Sequence, residues 1–442
     1  MNFKFQTFTG IEYLKIDIAN NCGKDKLKFQ ERIDWFNSNI ENKITKDSTN
    51  QELLDLIKEL EPEEIELTFA GLQAYVKYLN NLPSGYMISF DATASGIQIM
   101  SAITTDVKGM LLSNLIDDNR HDGYTEIFQL LQEVWRQSHS KELDIPRKNI
   151  KQAIMVMMYG GSKSIMKYLN DDKDLFQSLM SCCSVKIKGA YTLCQSLLRC
   201  IDKEVSTYTW ITPDNYHVKS DILSKYMEER DTPVGKIKVW YKDLGKDPFY
   251  KGNVANIVHS IDGTLMREVV ARCNYDRDAI FKSMSKLHRV LNITVDEVSL
   301  LAKTVGTTMN QELKELVDIY YKCGFVSVRC LKYIETESDV LGIIRDTDEK
   351  FVNSLYKMAE QILSYNSFEV VVVHDCFKCL SNNTNYVRYW YKEVLAQLVE
   401  CNVLKYMMEQ LPNGKVEYIR YFEQDFKPEV AHFIRNSNYG LC

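Results

Sequence analysis

Apolar and polar positions follow two rhythms along this chain, and the rhythms mark out its elements. From Leu111 to Leu169 the apolar residues return every three to four positions, the period of a helix with one buried face, with a break at Pro146. TYTWITPDNYHV (207–218) reads instead as two strand-like runs around a Pro-Asp-Asn turn. KIKVWYKDLGKDPFY (236–250) is a candidate hairpin rich in lysine and aromatic residues, and residues 275–366 form a charged, mostly helical block. FEVVVVHDCFKCL (368–380) carries four successive valines, the mark of a buried strand, and that run stops at His374-Asp375. EEIELTFAGLQAYVKYLNNLP leads into the strand-like GYMISF, which ends at Asp91. Residues 1–65 read as short strands and polar helix, and neither an internal repeat nor a low-complexity linker appears. The mixture predicts an α+β fold.

A chain of 442 residues is too long for one ordinary domain and long enough for two or three subdomains sharing a core. With 45% hydrophobic and 26% charged residues it reads as a water-soluble globular chain. No stretch approaches the roughly 18 uninterrupted apolar residues of a membrane span. The start, MNFKFQTFTG, has no long apolar leader and is not the Arg-rich, acid-poor start of a transit peptide. Of 12 cysteines only Cys376 and Cys379 stand at ligand spacing, without a second pair. That argues against a zinc site or disulfide framework and fits a reducing cytosol. The net charge of −6 offers no overall attraction for nucleic acid, but net charge averages over the surface and leaves room for a basic groove.

Three stretches carry chemistry. Asp91 and Asp375 each stand where an apolar strand stops, a place for a turn cap or a metal ligand. Two such carboxylates brought together repel unless divalent cations neutralise them. Oxygen-ligated Mg2+ does this, and two ions about 4 Å apart clamp the attacking and leaving oxygens of phosphoryl transfer. In PRKNIKQAIMVMMYGG (146–161), Pro146 suits a helix's first turn and Gly160-Gly161 its end. Arg147, Lys151, Met155 and Tyr159 recur every four residues, so they line one helix face roughly 18 Å long. Two cations at one end and an aromatic ring at the other suit a triphosphate and its sugar or base. The plainer reading is a solvated first turn leading into a methionine-rich core stripe. In NIVHSIDGTLMREVV (256–270), His259 precedes an apparent helix with Asp262-Gly263 as cap and turn, and a satisfied structural histidine is the ordinary reading.

In this order, the pieces resemble the single-subunit, phage-type RNA polymerases, a family also found in mitochondria. Asp91, with Ser95, Gly96, Ile97 and Gln98 after it, resembles the family's motif A. Arg147, Lys151, Tyr159 and Gly160 resemble motif B, and His374-Asp375 resembles motif C. FAGLQAYVKYLNNLP, TWITP and NIVHSIDG follow in the family's order, and Asp425-Phe426 resembles its carboxyl terminus. The resemblance covers most of residues 65–275 and 366–426.

The resemblance implies a right-hand polymerase. Its palm, an antiparallel sheet with flanking helices, would comprise residues 1–107 with motif A and 259–442 with motif C, the latter including the helical block at about 275–366 and the tail. Mostly helical fingers would span 108–258, with motif B and a short specificity hairpin at 236–250, while thumb and amino-terminal domain are lacking. The implied activity is DNA-directed RNA synthesis from NTPs on a DNA template. Asp91, the Ala92 backbone carbonyl and Asp375 are the implied ligands of two Mg2+. Arg147 and Lys151 would contact the incoming triphosphate, with Lys151 also serving the leaving pyrophosphate. Tyr159 would sit by the ribose and base pair, His259 by the sugar or minor groove, and His374 beside the catalytic aspartate. Gly96 stands where related DNA polymerases usually carry a glutamate that blocks a ribose 2′-OH, and Cys376 where they carry a glutamate after His-Asp. Both differences favour ribonucleotides.

The chain also departs from the family. Motif A arrives already at residue 91, no Gly-Arg dipeptide of the template-contacting element occurs, and Gln152 stands where relatives often have a second arginine. This pattern resembles the larger subunit of the split, heterodimeric RNA polymerase of schitoviruses. It implies a smaller polymerase subunit supplying the thumb and template-contacting element, an auxiliary single-stranded-DNA or promoter-recognition factor, and the cytoplasm of an infected bacterial host. The alternatives are a DNA polymerase-like enzyme and a catalytically dead scaffold. The scaffold predicts damage at the metal aspartates or motif B cations, and none is present.

Overall fold

Seven strands, all antiparallel, order the described part of the chain: β1 (Met87–Asp91), β2 (Thr207–Ile211), β3 (His217–Asp221), β4 (Leu223–Thr232), β5 (Gly235–Leu244), β6 (Val371–Val373) and β7 (Cys376–Leu380). The computed structural model describes residues 3–161, 163–202, 204–245, 252–421 and 427–442. β1, β7 and β6 form one sheet in that order, while β2–β3 and β4–β5 are separate two-stranded ribbons. Helices make up most of the rest, and the fold is α+β. Among the described residues no helix is long and apolar enough to cross a membrane.

The three-stranded sheet matters most, because it joins the two strand-end aspartates. Asp91 pairs with Cys376, Phe90 with Phe377 and Ile88 with Cys379. Val373 pairs with Cys376, so His374 and Asp375 are the two residues of a tight turn. His374 has φ 55°, and a positive φ at the first turn residue marks the type II′ hairpin, whose twist matches that of the strands. The valine run is not the buried strand its composition predicts. It forms the sheet's edge, with Val371 39% and Val373 53% exposed, and the buried positions fall on β7 at Phe377 and Cys379. An edge strand has one neighbour only, and its β-branched residues here serve the hairpin more than the core.

Packing fixes this sheet on the face that Phe90 and Phe377 share. Phe90 meets the rings of Tyr13 and Phe29 at 5.5 and 6.2 Å, and Phe377 meets Tyr391 edge-on at 5.6 Å. Tyr391 and the buried Trp390 belong to the Thr384–Glu400 helix. From the same helix, Arg388 donates to Gln6 O and Asn438 O, and Lys392 to Ser437 O. Residues 437–442 are thereby drawn against the sheet. Gln98 Nε2 donates to Gly440 O at 2.9 Å, and the Cys442 N–H donates to Asp91 O at 3.0 Å.

Several expected elements move. Residues 1–65 contain no strand among the described residues; they fold as helices Gly10–Ala19, Phe29–Asn39 and Asn50–Leu60, with a short π turn and a 3-10 turn between them. The first and third begin with capping boxes, Thr9 with Glu12 and Thr49 with Glu52, in which each side chain satisfies the other's free backbone N–H. Those Thr-x-x-Glu pairs were visible in the sequence and outweigh the β-branched residues around them. The hairpin expected at 236–250 is formed instead by β4 and β5, turning at Thr232–Gly235, with Gly235 at φ 127°. Residues 246–250 lie outside the described residues, as do Asp425 and Phe426. Asp262 and Gly263 neither cap nor turn. The Gly252–Cys273 helix runs through both and carries His259 in its interior, because Val254, Ile257, Val258, Ile261 and Leu265 keep one buried stripe across them. The Thr207–Asp221 ribbon, the helical block after residue 275 and the Arg147–Met158 helix with Pro146 at its N-cap all follow the sequence pattern.

A buried carboxyl ties the first helix to the sheet. Asp17 accepts from the Ser89 N–H at 2.8 Å, the Tyr86 hydroxyl at 2.7 Å and Asn21 Nδ2 at 3.3 Å. Burial outweighs these bonds and pushes its carboxyl up to about 6 from 3.8. A raised folded value means the stabilising contribution is complete below the unfolded value and lost as pH rises through the folded one. The rise is worth about 3 kcal/mol. Asp17→Asn is therefore expected to be more stable than the parent above pH 6, with the gap closing towards pH 4. Urea unfolding of both chains at several pH values measures it, and a gap independent of pH would exclude this assignment.

Candidate active site

The sheet places two carboxylates side by side. Asp91 ends β1 and Asp375 completes the adjoining turn; the Ala92 N–H donates to Asp375 O at 3.2 Å. Asp91 stays exposed, but partial desolvation raises its carboxyl above the ordinary value, and the Asp375 charge adds to that rise. The Cys376 thiol and Lys378 act against the rise; the thiol, mainly through burial, is pushed up to about 12. Such a pair is costly to keep ionised in the absence of a cation.

Opposite stands the helix Arg147–Met158. Its buried stripe is Ile150, Ala153, Ile154, Met157 and Met158, so the methionine-rich core is real but excludes the other face. Arg147, Lys151, Met155 and Tyr159 stay only partly buried along that face. Arg147 Nε donates to Thr125 Oγ1 at 2.6 Å, and its Nη2 pairs with Asp122. Burial works against ionisation of Asp122, yet Thr125 and Arg147 hold its carboxyl below the ordinary range. Lys151 lies over the Tyr124 ring at 5.5 Å. Asp91, Ala92, Arg147 and Lys151 share the wall of one cavity of about 600 Å3.

A second group forms around Tyr159. Its ring lies 4.9 Å from that of His259, tilted by 47°. Gly96 is buried against it: a Cβ built there would stand 2.5 Å from the Tyr159 hydroxyl and 2.9 Å from Cζ. The glycine leaves room, and in this conformation the tyrosine takes it. Desolvation, helped by Asp262 and Asp375, raises the Tyr159 phenol. Partial desolvation and the His374 ring hold the His259 imidazole below its usual value, against Asp375. Through Asp375 and its turn, this group and the cavity become neighbours.

In the sequence Asp262 had only the role of a cap, and other residues here were left unremarked. Asp262 is buried near Asp375; burial first, then Asp375, pushes its carboxyl up to about 7. Helical spacing from His259 would have revealed it had the helix not been started too late. Lys378 shares a sheet face with Asp91, since Ser89 pairs with Lys378 and Asp91 with Cys376 two residues on. Lys26 and Arg120 reach the cavity from loops, where periodicity carries no information.

Mg2+ fits this donor set. Asp91, Asp375 and the Ala92 carbonyl offer oxygens, and a cation would offset the Asp375 charge that adds to the desolvation of Asp91. Among the described residues no three His, Cys, Asp or Glu side chains are placed to cage a metal.

A family model described as DNA-dependent RNA polymerase matches residues 6–229. The match takes in Asp91, Gly96, Arg147, Lys151 and Tyr159, starts well before residue 65, and stops short of His259, His374 and Asp375. A probable DNA-directed RNA polymerase of Neurospora crassa is 30% identical over 171 residues, covering 35% of this chain and 18% of that protein. A mitochondrial DNA-directed RNA polymerase of the same species is 32% identical over 173 residues, 34% of this chain and 12% of that protein. The chain thus aligns with less than a fifth of either relative.

Proposed function

The chain belongs to the DNA-dependent RNA polymerase family, and from that premise we propose that it carries out template-directed transfer of nucleotides from NTPs to an RNA end. The observation that carries the reading is the meeting of Asp91, at the end of β1, with the β6–β7 turn that holds Asp375, Asp91 sharing a cavity wall with Arg147 and Lys151. Two Mg2+, held by Asp91, Asp375 and the Ala92 carbonyl, would neutralise phosphate charge and polarise the reacting phosphoryl group. Lys151 and Arg147 hold the triphosphate, Arg147 by exchanging Asp122 for a phosphate oxygen. Lys151, with three N–H donors, is placed to give a proton to the departing pyrophosphate. Tyr159 and His259 offer adjoining rings to the ribose and base pair, and Gly96 keeps side-chain bulk away from the sugar's 2′ side. His374 shapes the turn that presents Asp375.

The finer reading has three parts. The β1–β7–β6 sheet with its helices serves as palm, and residues 108–258 as fingers. The chain is the catalytic subunit of a viral enzyme working in its host's cytoplasm, and a smaller subunit supplies the thumb and the template-contacting element that these 442 residues lack as a Gly-Arg motif. RNA is the product; Gly96 and Cys376 stand where a DNA polymerase would carry glutamates. Extension of an RNA primer on a DNA template separates these claims. ATP is expected to be added far more efficiently than dATP, and the reverse preference would establish the DNA polymerase alternative. Long, processive products from the chain alone would sink the two-subunit arrangement.

A further inference from the structure

One charged group in the cavity lies outside every motif above. Arg120 lines the same cavity as Asp91, Arg147 and Lys151. Its guanidinium is fixed by neutral acceptors. Nη1 donates to Thr93 Oγ1 at 3.1 Å and to His121 O at 3.5 Å, and Nε donates to Asp25 O at 3.4 Å. Thr93 lies two residues beyond Asp91, and Asp122, two residues beyond Arg120, holds Arg147. One loop therefore touches both the aspartate strand and the cationic helix.

The charge pattern around Arg120 is uneven. Arg147 has Asp122 and Lys26 has Asp25 as ion-pair partners, whereas among the described residues neither Arg120 nor Lys151 has a carboxylate within salt-bridge distance. Behind Arg120 lies Arg32, fully buried, whose guanidinium donates to Leu27 O, Asp25 O and Asn20 Oδ1, again with no carboxylate. Burial lowers the Arg32 guanidinium, the Cys442 thiol acts against that, Arg120 adds to the lowering and Asp25 opposes it. Arg120 thus presents to the cavity a guanidinium held at hydrogen-bond range by neutral acceptors alone, with the Asp25 charge acting on it from farther off.

We propose that Arg120 is a further phosphate-contacting residue for the incoming nucleoside triphosphate, acting from the aspartate side of the cavity opposite Lys151. This deepens the polymerase reading and rests on it. A guanidinium already oriented by Thr93 loses little freedom when phosphate arrives, and its Nη2, without a hydrogen-bond partner among the described residues, suits an oxygen of the triphosphate chain.

The test is equilibrium binding of the fluorescent nucleotide mant-ATP to the full-length chain with Mg2+, competed by inorganic tripolyphosphate and by AMP. Arg120→Gln is expected to weaken mant-ATP and tripolyphosphate roughly tenfold or more while leaving AMP competition within about twofold. Arg120→Lys should recover part of the loss, and in primer extension the change should fall on KM for NTP more than on kcat. Should Arg120→Gln fail to fold, Thr93→Val, which only unties the guanidinium, is expected to weaken tripolyphosphate several-fold. Tripolyphosphate affinity unchanged in a folded Arg120→Gln chain, or in Thr93→Val, overturns the proposal. Arg120-dependent triphosphate binding by a chain that adds no nucleotide would uphold this residue's role and defeat the polymerase reading. Primer extension with KM untouched in Arg120→Gln would do the opposite.

Discussion

Asp375→Asn is expected to lower nucleotide incorporation by about 10^3-fold or more while leaving the metal-free chain at least as stable as its parent. The two halves of this result have one cause. Asp375 lies in a two-residue turn against Asp91, and its charge adds to the rise that desolvation causes at the Asp91 carboxyl. The same charge bears on Asp262 and Tyr159. Asparagine has nearly the same shape, so the turn and the Ala92 N–H to Asp375 O bond survive. Repulsion falls, and with it the reason for a cation to bind. A structural aspartate behaves the other way: its loss costs stability and spares activity. Thermal unfolding and single-nucleotide addition on the same preparation separate the two, and Asp91→Asn should behave alike. Incorporation within about tenfold of wild type in Asp375→Asn would refute the assigned mechanism.

Gly96→Glu is expected to abolish ribonucleotide addition, at least about 100-fold, by two routes that reinforce each other. Even the first carbon of a side chain would stand 2.5 Å from the Tyr159 hydroxyl, so the ring must leave its present place. Beyond that carbon, a carboxylate would enter a region where Asp91 and Asp375 already repel. Gly96→Ala tests the steric route alone. It should cost less, since Tyr159 is a side chain able to turn and Gly96 lies in the Ser95–Ile103 helix, where alanine is favoured. The measurement is kcat/KM for ATP and dATP in both variants. Full activity in Gly96→Glu would show that neither ring nor sugar uses this space.

How far the sequence could be read depended on the kind of signal. The Arg147–Met158 helix was legible from Pro146 to Gly160, because one amphipathic period ran between a clear start and a clear stop. The aspartates were legible as strand ends, but their meeting was not; pairing of β1 with β7 is a long-range fact that no local pattern contains. The valines of β6 misled for the same reason, since composition reports β preference and not the strand's place in the sheet. At Asp262-Gly263 a turn-forming pair was given more weight than an unbroken buried stripe, and the helix was begun too late. Arg120 and Lys26 were unreadable in principle, as loop residues whose role depends on what faces them.

The central claim is that this cavity performs template-directed RNA synthesis. The most direct measurement is addition of one ribonucleotide to a primed DNA template, with the template base varied through all four. The account predicts that only the complementary ribonucleotide is added, that Mg2+ is required, and that Asp91→Asn removes the activity. Addition that ignores the template base, or that survives in Asp91→Asn, would contradict it.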